Sequence, residues 1–116
     1  MTLFDTHAHY DDEAFDADRD AVLAAFDGLV IDPGCTLASS QTAVDLAARH
    51  PHVYAAVGIH PENCGDFVPE HMDALRQLAR EPKVVAIGEI GLDYYWDDTY
   101  KAEQKELFRR QIELAL

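Results

Sequence analysis

The chain has 116 residues, with 22 Asp or Glu against 9 Lys or Arg and a formal net charge of −13. This length predicts one domain over residues 1–116, because domains usually take about 100–200 residues. An apolar content of 48% and a charged content of 27% are typical of a globular protein and exclude an intrinsically disordered one. No apolar run reaches the roughly 18 residues of a membrane span, and the N-terminus does not resemble a signal peptide. With only two cysteines, we expect a protein of the reducing cytoplasm that has no membrane partner.

The acidic charge limits how the chain can meet nucleic acid. A net charge of −13 repels a phosphate backbone, so binding cannot rest on a general basic surface. It would need bound cations or a locally arranged site. The acidity itself fits either a salt-adapted source, where ions screen self-repulsion, or a codon bias toward Asp and Ala.

Short apolar runs recur along the chain and predict four strands. They begin at positions 3, 29, 53 and 84, and the third extends from Val53 to Ile59. These runs are rich in Val and Ile and lack polar alternation, which suits parallel strands that are covered on both faces.

Amphipathic segments between these runs predict four helices. The first lies within residues 15–26, and the second begins where Ser39 or Ser40 can cap it. The third begins near Pro69, and the fourth runs from about Tyr100 to the end of the chain.

A strand–helix unit repeated four times predicts a parallel α/β fold. Two closures remain open: a doubly wound sheet, or part of a (β/α)8 barrel. A complete barrel takes roughly 250 residues, and four units in 116 residues make just under half of one. We therefore predict a parallel (βα)4 half of a TIM-type (β/α)8 barrel.

The first cluster of candidate ligands directly follows the first strand, in Asp5-Thr6-His7-Ala8-His9. Residues two apart in a strand point the same way, so His7 and His9 project together. Two adjacent imidazoles can hold one divalent metal at about 2.0–2.1 Å each. Asp5 lies on the same face and is predicted to orient one of the rings from behind.

Glu89 is the second candidate, since it ends the fourth apolar run. It follows Val85 and Ile87 at two-residue spacing, which predicts that it points into the barrel as they do. A carboxylate in such surroundings is costly unless something pairs with it, and a metal ion is one such partner.

His60 ends the third run, in Gly58-Ile59-His60-Pro61. A single histidine at a strand end is more often a hydrogen-bonded structural group than a ligand. Cys35 and Cys64 follow the second and third strands, and we expect two reduced, partly buried thiols. His50, His52 and His71 fall in helix ends or loops and receive no role.

Taken together, these motifs resemble the successive signatures of the TatD-type metal-dependent deoxyribonucleases. The resemblance covers the chain in order and rests on four segments: Leu3-Phe4-Asp5-Thr6-His7-Ala8-His9, Gly58-Ile59-His60-Pro61, Gly88-Glu89-Ile90-Gly91-Leu92-Asp93-Tyr94-Tyr95, and the last helix from Gln104 to Ala115.

This resemblance implies a (β/α)8 barrel of the amidohydrolase-like group that hydrolyses phosphodiester bonds in DNA with divalent cations. It implies that His7 and His9 bind one cation, that Glu89 can bridge two, and that His60 lines the substrate site near a phosphate. The cation would be Mg²⁺, Mn²⁺ or Zn²⁺ and would generate a hydroxide nucleophile near neutral pH.

The chain departs from the family pattern at its end. The family's remaining histidine ligands and its catalytic aspartate come from later strands, so this sequence offers no catalytic residue of its own. We expect a TatD-like hydrolase chain without independent catalysis. The alternatives are a non-catalytic, self-associating half-barrel that binds metal, and another His-x-His metallohydrolase acting on an amide or small ester.

A half-barrel also predicts a homodimer. Its two edge strands carry unpaired backbone groups, and its concave apolar face lacks the side chains that would fill a closed barrel. A second copy could cover both, and cations that screen the charge would tighten the pair.

Overall fold

The computed structural model describes residues 3–116. Its four strands are β1 (Leu3–Asp5), β2 (Gly28–Pro33), β3 (Val53–Val57) and β4 (Val84–Ile87). All pair in parallel, in the order β1-β2-β3-β4. In a doubly wound sheet the strand order changes direction at one point, whereas here each strand lies beside the next one in the chain. This is the strand order of a (β/α)8 barrel.

A helix follows each strand and confirms the predicted four-unit repeat. These helices are α1 (Arg19–Ala25), α2 (Leu37–Arg49), α3 (Glu70–Ala79) and α4 (Lys101–Ala115). Short 3-10 turns at Glu13–Phe15 and Pro61–Asp66 precede α1 and α3. Within residues 3–116, no helix combines the length and the apolarity that crossing a membrane requires.

The core lies between the two central strands and the helices. Val30 of β2 and Val53 of β3 are fully buried against Leu23 of α1 and Leu46 of α2. A second cluster joins Val57 to Met72 and Leu75 of α3. Strand neighbours point to opposite faces, so the residues between these core positions face away from the helices.

The opposite face of the sheet is open. Phe4 pairs with Leu29 across β1 and β2, and the two side chains are 58% and 38% exposed. Val85 of β4 is 53% exposed. This apolar inner face corresponds to the interior of a barrel wall, and we refer to Phe4, Leu29 and Val85 as the open face below.

Two helix starts differ from the sequence expectation. Thr36, rather than Ser39 or Ser40, caps α2: its hydroxyl accepts from the Ser39 N–H at 3.0 Å, and the Ser39 side chain accepts from the Thr36 N–H in return. Phe15 lies in a separate 3-10 turn and not in α1, because Asp12 caps that turn through the Ala14 N–H.

The third strand is also shorter than predicted, ending at Val57. The backbone of Ile59 bonds instead to the buried side chain of Gln111: its N–H donates to Oε1 at 2.7 Å and its carbonyl accepts from Nε2 at 3.1 Å. Gly58 lies so close to Gly88 that a Cβ atom would come within 2.7 Å of the Gly88 carbonyl carbon. The absence of a side chain at Gly58 therefore allows the ends of β3 and β4 to lie close together.

Candidate metal centre

Three predicted ligands meet beyond the carboxyl ends of the strands. The Nε2 atoms of His7 and His9 lie 3.1 Å apart, and each lies near Oε2 of Glu89, at 3.4 Å and 3.5 Å. Ligands held at about 2.0–2.1 Å around a tetrahedral ion lie about 3.3–3.4 Å apart. The three atoms are therefore spaced like three corners of a tetrahedral site, and their types suit a divalent transition metal.

The two histidines come from the segment after β1, as the spacing predicted. The role expected of Asp5 was wrong in detail: its Oδ1 accepts from the backbone N–H of His7 at 3.1 Å and fixes the chain rather than a ring. The short strand and its first turn therefore aim both rings at one point, while a different carboxylate lies behind His9.

The position of Glu89 at the centre does not follow from strand alternation with Val85 and Ile87, because these two residues lie on different faces. The β3–β4 pairing has a register shift, and Ile87 packs against the cluster around Met72 and Leu75 while Val85 stays on the open face. Beyond the strand, the Glu89 N–H donates to the Gly34 carbonyl at 2.8 Å. This bond to the segment after β2 holds the carboxylate near the histidines.

Cys35 also touches this carboxylate, a contact that the sequence did not indicate. Its thiol donates to Oε2 of Glu89 at 3.7 Å. Burial, followed by the negative charge of Glu89, raises the pKa of Cys35 to about 12, so the thiol stays protonated at neutral pH. Cys64 is buried elsewhere, and both cysteines are free, as expected.

His60 lies on the other side of Glu89. Its Nε2 atom is 3.5 Å from Oε1 of Glu89, and its Nδ1 accepts the backbone N–H of Glu62 at 3.0 Å. A backbone amide can only donate, so Nδ1 carries no proton and the neutral ring holds its proton on Nε2. His60 thus presents an N–H donor toward the centre, which suits an anionic oxygen better than a metal.

A pair of aspartates behind His9, Asp11 and the fully buried Asp32, was missed by sequence reasoning. Nδ1 of His9 lies 3.6 Å from Oδ1 of Asp11, and the Asp11 N–H donates to Oδ2 of Asp32 at 3.0 Å. Asp32 is the last residue but one of β2 and is fully buried. Its burial, with the charge of Asp11 second, raises its pKa to about 8. The sequence feature that could have indicated this pair is Asp11, which lies two residues after His9.

Three further histidines stay outside this constellation. His50 contacts Asp20 at 2.9 Å, His52 contacts the Leu23 carbonyl at 2.7 Å, and His71 accepts the Val68 N–H. Two further groups of potential ligands adjoin the centre: His9 with Asp11 and Asp32, and His60 with Glu62 and Asp93.

Comparison with known proteins identifies the family of this chain. Residues 4–116 match the family model described as TatD related DNase. This chain belongs to the TatD family. It is 38% identical to the uncharacterized metal-dependent hydrolase YabD of Bacillus subtilis and 36% identical to the 3'-5' ssDNA/RNA exonuclease TatD of Salmonella typhimurium. The alignments cover 97% of this chain and 46% and 45% of those proteins.

A solved structure of a family member has the same fold. The crystal structure of the TatD homologue YJJV from Escherichia coli superposes with a TM-score of 0.88 at 34% identity, covering 97% of this chain and 46% of that one. The chain therefore has the fold of the N-terminal half of a TIM-type barrel, and it spans about half the length of the relatives it matches.

Proposed function

We propose that this chain is the metal-binding half of a TatD-type hydrolase that cleaves phosphodiester bonds in DNA. The observation that carries the proposal is the triangle of His7 Nε2, His9 Nε2 and Glu89 Oε2, whose sides of 3.1, 3.4 and 3.5 Å suit one cation. The name of the Salmonella relative, an ssDNA/RNA exonuclease, supports the substrate class.

The roles of the residues follow from their chemistry. His7, His9 and Glu89 would hold a divalent cation such as Mg²⁺, Mn²⁺ or Zn²⁺, which supplies Lewis-acid polarisation of a phosphate when bound. The second carboxylate oxygen of Glu89, Oε1, lies 3.5 Å from Nε2 of His60 and would be the atom that contacts a second cation. The Nε2–H of His60 would donate to a phosphate oxygen, as its tautomer allows.

A local cation also resolves the charge problem. With a net charge of −13, the surface as a whole repels DNA, and a positive ion at the strand ends offsets that repulsion where the substrate binds. Because three ligands come from this half alone, we propose that the chain binds metal but hydrolyses DNA poorly or not at all by itself. Its cytoplasmic location stays a prediction.

Calorimetric titration with Zn²⁺ and with Mn²⁺ tests the metal centre. The parent chain should bind one ion with measurable affinity, and His7→Ala should weaken binding at least about tenfold. His71→Ala removes a histidine outside the centre and should leave the affinity unchanged. Equal binding by the parent and His7→Ala would refute the site. Strong Mn²⁺-dependent cleavage of single-stranded DNA by the parent would instead refute the proposed lack of catalysis.

A second candidate function is self-association of a non-catalytic half-barrel, and the open face favours it. Phe4, Leu29 and Val85 form an exposed apolar surface on a sheet whose edge strands are β1 and β4, which is the kind of surface that marks an interface. We propose a two-fold homodimer in which each copy covers the open face of the other. The charge of −13 per chain opposes this association, so salt should favour it.

Sedimentation at micromolar concentration tests the dimer. The parent should sediment at twice the 13.0 kDa mass of one chain in high salt, and Val85→Asp should return it to the monomer. Val68→Asp places the same charge on a comparably exposed valine before α3 and should not change the mass. A folded parent that stays monomeric in high salt would refute the dimer.

A further inference from the structure

The two nitrogens of His9 face different partners. Nε2 points at His7 and Glu89, while Nδ1 lies 3.6 Å from Oδ1 of Asp11. A neutral imidazole carries one proton, and a ring that binds metal through Nε2 must hold that proton on Nδ1. The group beside Nδ1 therefore influences whether Nε2 is free for a metal.

We infer that Asp11 is a positioning residue for His9, fixing its ring and its Nδ1–H tautomer, and that Asp32 holds Asp11 in place. This inference rests on the metal centre proposed above. Oδ1 of Asp11 is buried and has no hydrogen-bond partner within residues 3–116, so the nearby His9 N–H is the donor it lacks. Metal bound to Nε2 would make Nδ1–H more acidic and strengthen its attraction to the carboxylate.

Asp32 supplies the second half of the argument. It is fully buried near the end of β2, and its Oδ2 accepts the backbone N–H of Asp11 at 3.0 Å. Its Oδ1 is buried without a partner in the described chain, as is Oδ1 of Asp11. One carboxylate oxygen of Asp32 lies within 4.8 Å of one of Asp11, so a proton on Asp32 can be directed at the Asp11 carboxylate, which then keeps the negative charge that attracts His9.

The backbone around Asp11 is fixed from the other side by Arg19. Its guanidinium donates to the carbonyls of Tyr10 and Asp12, at 2.5 Å and 2.7 Å. The loop after β1 is thus tied to α1 through Arg19 and to β2 through Asp32. The Asp11 carboxylate lies between these two anchors, in a position set by the fold rather than by the metal.

The ring nitrogens of His9 can be observed directly by ¹⁵N nuclear magnetic resonance of the metal-free chain. In the parent, we expect the proton on Nδ1 and a bare Nε2. In Asp11→Ala, a population protonated on Nε2 should appear, and Zn²⁺ binding measured by calorimetry should weaken about tenfold or more. Asp11→Asn keeps the shape of the side chain but loses its charge. It should show the same Nε2-protonated population and the same loss of Zn²⁺ affinity, and it serves as the test if the alanine variant fails to fold.

Substitutions at Asp32 separate positioning from charge. Asp32→Asn can still accept the Asp11 N–H and donate to its carboxylate, so Zn²⁺ affinity should stay within about threefold of the parent. Asp32→Ala can do neither, and its affinity should fall clearly below that of Asp32→Asn. Equal losses in the two variants would refute the role of Asp32.

Asp20→Asn is the matched control. Asp20 pairs with His50 at 2.9 Å, a His–Asp contact of the same chemistry away from the centre. This variant should shift the His50 signals and leave the His9 signals and Zn²⁺ affinity unchanged. Unchanged His9 signals in folded Asp11→Ala and Asp11→Asn would overturn the inference. A parent that binds no Zn²⁺ would refute the metal centre, while the metal-free spectra would still decide the role of Asp11.

Discussion

The two faces of the sheet are built from the same four strands and differ in what lies against them. On the helix side, Val30 and Val53 are fully buried against Leu23 and Leu46. On the other side, Phe4 and Val85 are more than half exposed. Because strand residues alternate between the faces, one apolar strand places some side chains in the packed core on the helix side and others on the exposed open face.

The difference shows where the packing of this chain is concentrated and where its candidate site lies. The helix side contains the packing that orders the fold. The polar residues of the candidate centre lie beyond the carboxyl ends of the strands. Substitutions on the two faces should therefore have very different costs, and four predictions test this difference.

The largest effect is expected in the helix-side core. Leu46→Ala should lower the free energy of unfolding by about 3–4 kcal/mol, because it removes buried methyl groups and leaves a cavity. Phe4→Ala removes a larger side chain from the open face and should cost less than about 1 kcal/mol in the monomer. Urea unfolding of both variants measures the contrast. Equal costs at low concentration would mean that the open face is covered in solution.

A pH-dependent effect is expected from Asp32. Burial and the charge of Asp11 raise its pKa from 3.8 to about 8 in the folded state. Between about pH 4 and pH 8 the unfolded chain loses this proton while the folded chain keeps it, so stability falls as pH rises. The full slope is about 1.4 kcal/mol per pH unit. Asp32→Asn should remove this slope, so its stability relative to the parent should rise by about 3–4 kcal/mol from pH 5 to pH 8.

The measurement is urea unfolding of the parent and Asp32→Asn, both in chelator, at several pH values. Only the difference between the two curves matters, because the other titrating groups are common to both chains. A constant difference across this range would show that Asp32 has an ordinary pKa.

A smaller effect is expected where α4 meets the end of β3. Gln111→Leu should cost about 2 kcal/mol, because it leaves the N–H and carbonyl of Ile59 buried without partners. Gln41→Leu is the control, since Gln41 is exposed and its side chain bonds to Asp45 in the same helix. Thermal unfolding should show a clear loss for the first and little change for the second. A neutral Gln111→Leu would mean that water replaces the lost bonds.

The smallest effect concerns the start of α2, which covers the helix side. Thr36→Ala should cost about 1 kcal/mol through loss of the capping bond to Ser39. Thr42→Ala, within the same helix, removes only a hydroxyl bonded back to the Ala38 carbonyl and should change stability by less than about 0.5 kcal/mol. Chemical denaturation resolves the two. Similar costs for both would show that the cap contributes little.

The sequence by itself determined the repeat and most of the centre. Period and composition predicted four strand–helix units, and the two-residue spacing of His7 and His9 at a strand end predicted that their rings converge. Both predictions depend on local geometry, which a short stretch of chain specifies without help from distant residues. The same local reasoning assigned the orienting role to Asp5, which is the nearest carboxylate in the sequence.

Only the tertiary structure decided which carboxylates and donors surround those rings. Asp32 lies 21 residues beyond Asp11, and Cys35 lies 54 residues before Glu89, yet each pair is in contact. Parallel pairing of β1 with β2 brings Asp11 to Asp32, and pairing of β2 with β3 and of β3 with β4 brings Cys35 to Glu89, all at one end of the sheet. Contacts of this kind depend on strand order and register, and no periodicity within a single segment encodes them.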